Sequence, residues 1–216
     1  MIQNQSRNRR FNSKLNVIKD RIYNPIFIVK ILSPFFVGVI LILLISYISV
    51  NLSYSKKLIP NEESIPSEIN TSTIILTPLN FETSESSKIF STNESLYNSR
   101  KLSNINIYII GLNSGEESVK SEISSKLSKV NEEIIKYNFE YKNIEDVCID
   151  LEQSNSQKGI LFTSGENLLR SMYLCNSFNL YYTGFKSEDD EGFSNIKYIT
   201  FDLFIKDFIK NIFNIY

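Results

Sequence analysis

Residues Ile31 to Val50, ILSPFFVGVILILLISYISV, run for 20 positions without a charged side chain. At about 1.5 Å per residue, such a run wound into a helix spans the roughly 30 Å hydrocarbon core of a bilayer. It constrains the chain more than any other feature, because a folded domain must be built on what lies outside it. Pro34 and Gly38 fall inside the run, and both residue types are tolerated in membrane helices. Arg7, Arg9, Arg10, Lys14, Lys19, Arg21 and Lys30 precede it, whereas the following stretch to Asn70 carries only Lys56 and Lys57, set against Glu62, Glu63 and Glu68. The positive-inside rule then predicts a cytoplasmic basic tail over residues 1–30, a transmembrane helix over 31–50, and everything from Asn51 onward on the outer side. An uncleaved anchor is expected rather than a signal peptide. The basic region is long, the run exceeds an ordinary h-region, and an A-x-A cleavage site cannot occur in a chain that has no alanine.

The 216 residues are 42% hydrophobic with a formal net charge of −1, enough for one ordinary domain beyond the anchor. A balanced charge gives no reason to expect nucleic acid as a partner. Histidine and tryptophan are absent along with alanine, while Ile, Asn, Ser and Lys are abundant, the amino-acid signature of an AT-rich genome. Without histidine, the commonest general base and the commonest metal ligand are both missing. Any catalysis would rest on carboxylates, Ser, Tyr, Lys or Cys, and whether the chain is an enzyme stays open at this point. The two cysteines, Cys148 and Cys175, show no metal-ligand spacing. Both fall on the apolar faces of predicted helices and read as buried small side chains. A disulfide between them is the alternative if the domain lies in an oxidising compartment.

Residues 51–70 are polar and twice interrupted by proline, which predicts a short stalk, followed by a domain over 71–216. Apolar runs predict buried strands at Ser72–Thr77, at the β-branched stretch Ile105–Gly111 and at Gly159–Thr163; Leu180–Phe185 reads as a fourth strand, and YNFEY adds a short one. Residues 81–104 read as loop with a short helix around Leu96. Val119, Ile123, Leu127, Val130 and Ile134 recur at helical spacing, as do Ile144, Val147, Cys148 and Leu151. The closing stretch places Phe201, Phe204, Ile205, Phe208, Ile209 and Ile212 on one stripe, with Asp202, Lys206, Asp207 and Lys210 opposite. Because the polar face carries both signs, this helix is expected to pack on the sheet and not on a membrane. Strands alternating with amphipathic helices imply an α/β domain with a mostly parallel, Rossmann-like sheet flanked by helices. Ligands of such sheets bind beyond the carboxyl ends of the strands. The expected site therefore comprises the turns Thr77–Leu79, Gly111–Glu117 and Thr163–Asn167.

Several strings in this order resemble the SanA/ElyC/YdcF family of bacterial envelope proteins. YSKKLIPNEESIPSEI running into STIILTPL looks like the family's stalk and first strand. IYIIGLNSGEE sits where the family has a strand, a Ser-Gly-Asp-type turn and a glutamate, and NIEDVCIDLEQ resembles the helix after a Thr-containing turn. GILFTSGENLLRSMYLCNSFNLYYTGF follows, without a gap, a family pattern of the form ilvTq.fHl.RAlylA.klGi.a.G, and FDLFIKDFIKNIF resembles the terminal helix. The resemblance covers roughly Tyr54 to Phe213. It implies a single-pass membrane protein with an extracytoplasmic α/β domain that serves cell-envelope integrity through peptidoglycan or lipid-carrier metabolism. Its implied partners are the membrane and envelope precursors or envelope proteins. One relative binds S-adenosylmethionine, so that molecule or another nucleotide-like ligand is the implied cofactor. Carried over, the ligand site is Gly111, Asn113, Glu117, Thr163, Ser164, Asn167 and Arg170, with backbone amides and Arg170 holding an anionic group.

The departures from the family pattern fall where chemistry would be. Thr163 and Arg170 keep the family's residues, but Asn167 stands at the histidine and Ser164 at the glutamine. Leu112 replaces the acidic residue after Gly111, and Ile144 the threonine. A second reading is therefore a catalytically inert, anchored interaction domain. A third is a SPOR-type peptidoglycan-binding module, which IYIIGLNSGEESVKSEISSKL resembles, although that domain would be shorter and would alternate strand pairs. Arg170 can bind an anion near a helix N-terminus or pair with a neighbouring Asp or Glu. Glu116 and Glu117 suit a helix start through the dipole alone, and Tyr181 and Tyr182 read as strand filling. The triplets NLS, NTS and NES match the glycosylation pattern as a chain rich in Asn and Ser does by chance.

Overall fold

The computed structural model describes residues 25–78, 83–112, 114–154, 156–185 and 199–213. It comprises two units, Met1–Ile48 and Ser49–Tyr216. The first contains most of helix α1 (Pro25–Ser55), which runs through Pro34 without ending. Within it, Leu32–Ser55 is long and apolar enough to cross a membrane. Phe35, Phe36, Ile40, Leu41, Ile42 and Ile45 are exposed around its circumference, unlike the core helix of a soluble domain, which buries at least one face.

The second unit is a five-stranded, wholly parallel sheet in the order β3-β2-β1-β4-β5. Its strands are β1 (Thr71–Leu76), β2 (Asn104–Ile110), β3 (Ile135–Tyr141), β4 (Lys158–Phe162) and β5 (Tyr181–Gly184). The connecting helices are α2 (Ser84–Asn98), α3 (Glu116–Lys126), α4 (Ile144–Gln153) and α5 (Gly165–Ser177), and α6 (Phe201–Phe213) closes the chain. The chain steps outward from β1 to β3, then returns past β1 to β4 and β5. With right-handed crossovers, α2 and α3 cover one face and α4 and α5 the other. The α/β expectation holds, and the alternating strand pairs of a SPOR-type module are not what this sheet contains. Because both faces are covered, the central strands read as continuous apolar runs: Ile74, Ile75 and Leu76 in β1, and Ile105, Ile107 and Ile109 in β2, are buried.

Four expectations are corrected. Residues 51–70 were expected to form a stalk, but α1 continues to Ser55 and the segment docks on the domain. Asn51 is buried and accepts the Ile199 N–H at 2.9 Å, the Tyr54 hydroxyl accepts from Asn176 at 2.8 Å, and the Ile59 N–H donates to the Gly184 carbonyl at 2.8 Å. Ile59 and Ile65 join the core, each just ahead of a proline that holds the chain extended. Residues 81–104 contain a full 15-residue helix, α2, capped by the Thr83 side chain. Its buried face is Ser86, Ile89, Phe90, Asn93 and Leu96, helical spacing with two positions polar. Asn93 is satisfied there by the Ser72 hydroxyl and by the Ile89 carbonyl at 2.8 Å, so burial costs it no unmade hydrogen bond.

The apolar pattern through Ile134 suggested a longer α3, which instead ends at Lys126. Leu127 and Val130 are buried in the turn, and a short 3-10 segment, Glu132–Ile134, capped by Asn131, leads into β3. Finally, Cys148 and Cys175 are buried as expected but paired: a disulfide with Cα atoms 4.9 Å apart joins α4 to α5. The two helices lie side by side on one sheet face, which brings residues 27 positions apart into bonding range.

Candidate functional site

The sheet order reverses between β1 and β4, and a crevice opens there beyond the carboxyl ends of the strands. It holds a cavity of about 240 Å³ lined by Ile75 in β1 and Thr77 after it, Ile110 at the end of β2, Lys142, Asn143 and Ile144 entering α4, and Thr163, Asn167 and Arg170 around α5. The isoleucines make part of the lining apolar, and the remainder is hydroxyl, amide and cation.

The two helices that begin at this cavity start differently. Asn143 caps α4, its side chain accepting from the Asp146 N–H at 2.9 Å, while the Asp146 carboxylate accepts from the Lys142 N–H at 3.1 Å. The cap satisfies one of the free amides of the first turn, and the Asp146 carboxylate ties the preceding residue back to that turn. Ser164 precedes α5 but makes no side-chain cap; its hydroxyl accepts from Asn167 Nδ2 at 3.1 Å. The Gly165 N–H donates instead to the Glu85 carboxylate, which arrives from the first turn of α2. An acidic side chain of the protein thus takes the position at this helix N-terminus where an external anion would be favoured.

Arg170 is equally committed. Its Nε and Nη2 donate to the two carboxylate oxygens of Asp207 at 2.9 and 3.1 Å, and Nη2 lies 3.7 Å from Glu145 Oε1, which also accepts from Lys210 Nζ at 2.9 Å. The Arg170 side chain is 18% exposed and that of Asp207 not at all. The hydrogen bonds and charge of Asp207 hold the guanidinium above its ordinary pKa against the opposing effect of burial, with the charge of Glu145 adding to the rise. Burial pushes the Glu145 carboxyl up, but the hydrogen bond from Lys210 and the charges of Lys210 and Arg170 outweigh it and leave it below the ordinary value. The sequence pattern put Asp207 on the solvent side of the closing helix. The ion pair rotates α6 so that Phe204 and Asp207 face inward, and Ile209, Ile212 and Phe213 remain exposed.

Of the residues expected in the site, Thr163, Asn167 and Arg170 line the cavity, and Ser164 supports Asn167 from behind. Gly111 serves the turn after β2: its φ of +77° lies in the left-handed region, where glycine carries no steric penalty. Glu117 sits exposed in the first turn of α3 and is not among the residues of this cavity, in keeping with the dipole reading of that position. Asn113, and Leu79 of the first turn, lie outside the described residues. Sequence reasoning missed Lys142 and Asn143 because it took YNFEY only as an added short strand and did not follow its turn into α4; the signal was Asn143 three residues before Asp146. It missed Glu85, whose partner is 80 residues away.

A second cavity, of about 230 Å³, runs along the edge strand β3 between Glu116 and the stretch Tyr137–Tyr141. Tyr108 and Tyr141 pack edge to face near it, and the Tyr108 hydroxyl donates to Asp150 at 2.7 Å. Burial and the charge of Asp150 push the Tyr141 hydroxyl up to about 12, so it stays protonated at neutral pH.

No family model and no curated protein matches the chain. Among solved structures, the crystal structure of a hypothetical protein from Sulfolobus tokodaii is similar at 15% identity over 57% of this chain and 99% of that one, with a TM-score of 0.37.

Proposed function

We propose that the chain is a single-pass membrane protein whose α/β domain lies outside the cytoplasm and binds, without converting, a ligand in the service of the cell envelope. One observation carries the binding reading: among the described residues, the titratable side chains lining the switch-point cavity are Lys142 and Arg170, and Arg170 is already held by Asp207. A general base or an activated nucleophile needs a proton acceptor within hydrogen-bond reach of the reacting atom. The described lining offers hydroxyls, amides and one unneutralised cation, which are recognition groups.

The apolar helix supports the anchor, and the Cys148–Cys175 disulfide supports an oxidising compartment for the domain. The link to envelope integrity rests on the resemblance to the SanA branch, with envelope precursors or envelope proteins as partners. A second reading, an inert anchored interaction domain, is favoured by the internal carboxylates at Arg170 and at the N-terminus of α5.

The test is thiol labelling and added protease on intact cells making the full chain. Cleavage of the domain from outside, with Cys148 and Cys175 alkylated only after denaturation and reduction, is the expected result. A domain protected from protease, or thiols that label without reductant, would overturn the extracytoplasmic placement. A deletion strain as resistant to cell-wall antibiotics as its parent would remove the envelope role.

A further inference from the structure

We infer that the switch-point cavity takes a small hydroxylated anion with a single acidic group, of the sugar-phosphate or sugar-acid class, with Lys142 holding that group. The inference deepens the binding function proposed above and rests on it. Size comes first. The described lining bounds about 240 Å³, below the roughly 300 Å³ from which ordinary ligand pockets begin. A single sugar ring with one acidic group suits that volume better than a nucleoside phosphate or S-adenosylmethionine.

Charge comes second. The lining contains no carboxylate among the described residues, and the carboxylates beside it, Glu85, Glu145, Asp146 and Asp207, are each held by a hydrogen bond or an ion pair. Of its two cations, Arg170 is neutralised by Asp207 and approached by Glu145, while Lys142 is exposed and has no ion-pair partner among the described residues. The N-terminus of α5 is taken by Glu85. One cation is therefore left for one anionic group, and it sits at the rim, where a strongly hydrated group stays partly in water. Attraction there needs no full desolvation of the ion.

Hydrogen bonding comes third. Thr163 lines the cavity, and its hydroxyl is open to a hydrogen bond with a ligand hydroxyl there. Thr77, Asn143 and the Asn167 side-chain oxygen add a donor–acceptor mixture suited to several hydroxyls. Asn167 is held in place by its bond to Ser164. The isoleucines offer the apolar surface against which the carbon face of a sugar ring packs.

The test uses the full chain in detergent micelles, titrated calorimetrically with glucose 6-phosphate, glucose and inorganic phosphate, on the parent protein and on Lys142→Gln and Thr163→Val. Glucose 6-phosphate is expected to bind more tightly than either fragment. Lys142→Gln should weaken it by about tenfold or more, as for loss of a charged hydrogen bond. Thr163→Val should weaken both glucose 6-phosphate and glucose by roughly fivefold. Circular dichroism melts confirm that each variant is folded, and retention of parent-like melting with lost affinity supports the assignment. No heat from any probe at about 10 mM, the weak end of specific recognition, would overturn the ligand class. So would phosphate binding as tightly as glucose 6-phosphate, or affinities indifferent to both substitutions. A phosphate-release assay on the same mixtures separates the two claims: release of phosphate would sink the binding-only function while leaving the ligand class standing.

Discussion

Arg170 and Lys142 border the same cavity with the same charge, and they do opposite work. Arg170 points its guanidinium at a fully buried carboxylate and ties α5 to α6, whereas Lys142 stands exposed at the entry to α4 with no described partner. The difference lies in what surrounds each cation. A guanidinium is planar and weakly hydrated, so it can be buried once a carboxylate meets it in bidentate geometry. An ammonium on a flexible stem keeps its water and remains available. A charge at a cavity wall is therefore a ligand contact only if the protein has not already neutralised it.

The largest expected effect concerns what holds the two helices carrying this contrast together. Replacing both Cys148 and Cys175 by serine is expected to destabilise the Ser49–Tyr216 unit by about 3.5 kcal/mol, the cost of opening a loop with a sequence separation of 27, read from urea denaturation. Asp207→Ala comes next. Removing one partner of a buried pair leaves the Arg170 charge uncompensated and costs about 3 kcal/mol. If Arg170 is structural, the variant also gains affinity for inorganic phosphate as the freed guanidinium turns to the cavity. A loss below about 0.5 kcal/mol would put Arg170 back among ligand contacts.

The acid limb gives a smaller effect. Because the folded-state pKa of Glu145 is depressed, its contribution is present above the ordinary glutamate value and is lost as pH falls through the lower folded-state value. Glu145→Gln is expected to flatten that part of the stability profile, and an unchanged acid limb would remove Glu145 from the network. Smallest is Lys142→Gln, expected to change stability by less than about 0.5 kcal/mol. A larger loss would mean that Lys142 is as structural as Arg170 and would erase the contrast.

Much of the fold was legible because its pattern is local. The strands at β1 and β2 are short β-branched runs, β4 and β5 are short apolar or aromatic ones, and α4 and α5 show their apolar period directly. Where buried positions were polar the pattern failed: Ser86 and Asn93 hid the inner face of α2, and Asp207 hid that of α6. Asn93 and Asp207 are matched by partners distant in the chain, Ser72 and Arg170, whereas the Ser86 hydroxyl turns back to the Thr83 carbonyl. The site was legible in part. Thr163, Asn167 and Arg170 follow a strand and open a helix, a placement that sequence periodicity reveals. Lys142 and Asn143 stand at the end of an edge strand whose turn was not followed.

By itself the sequence determined the long apolar helix, the alternation that makes a parallel sheet, and the absence of histidine chemistry, since each depends only on residue type and spacing along the chain. Tertiary structure alone decided that Cys148 meets Cys175, that the segment after the apolar run docks on the domain, and that Arg170 is paired while Lys142 has no ion-pair partner among the described residues. Pairing of charges and thiols depends on distances across the fold of a few ångströms, and sequence separation says nothing about those until the chain has closed on itself.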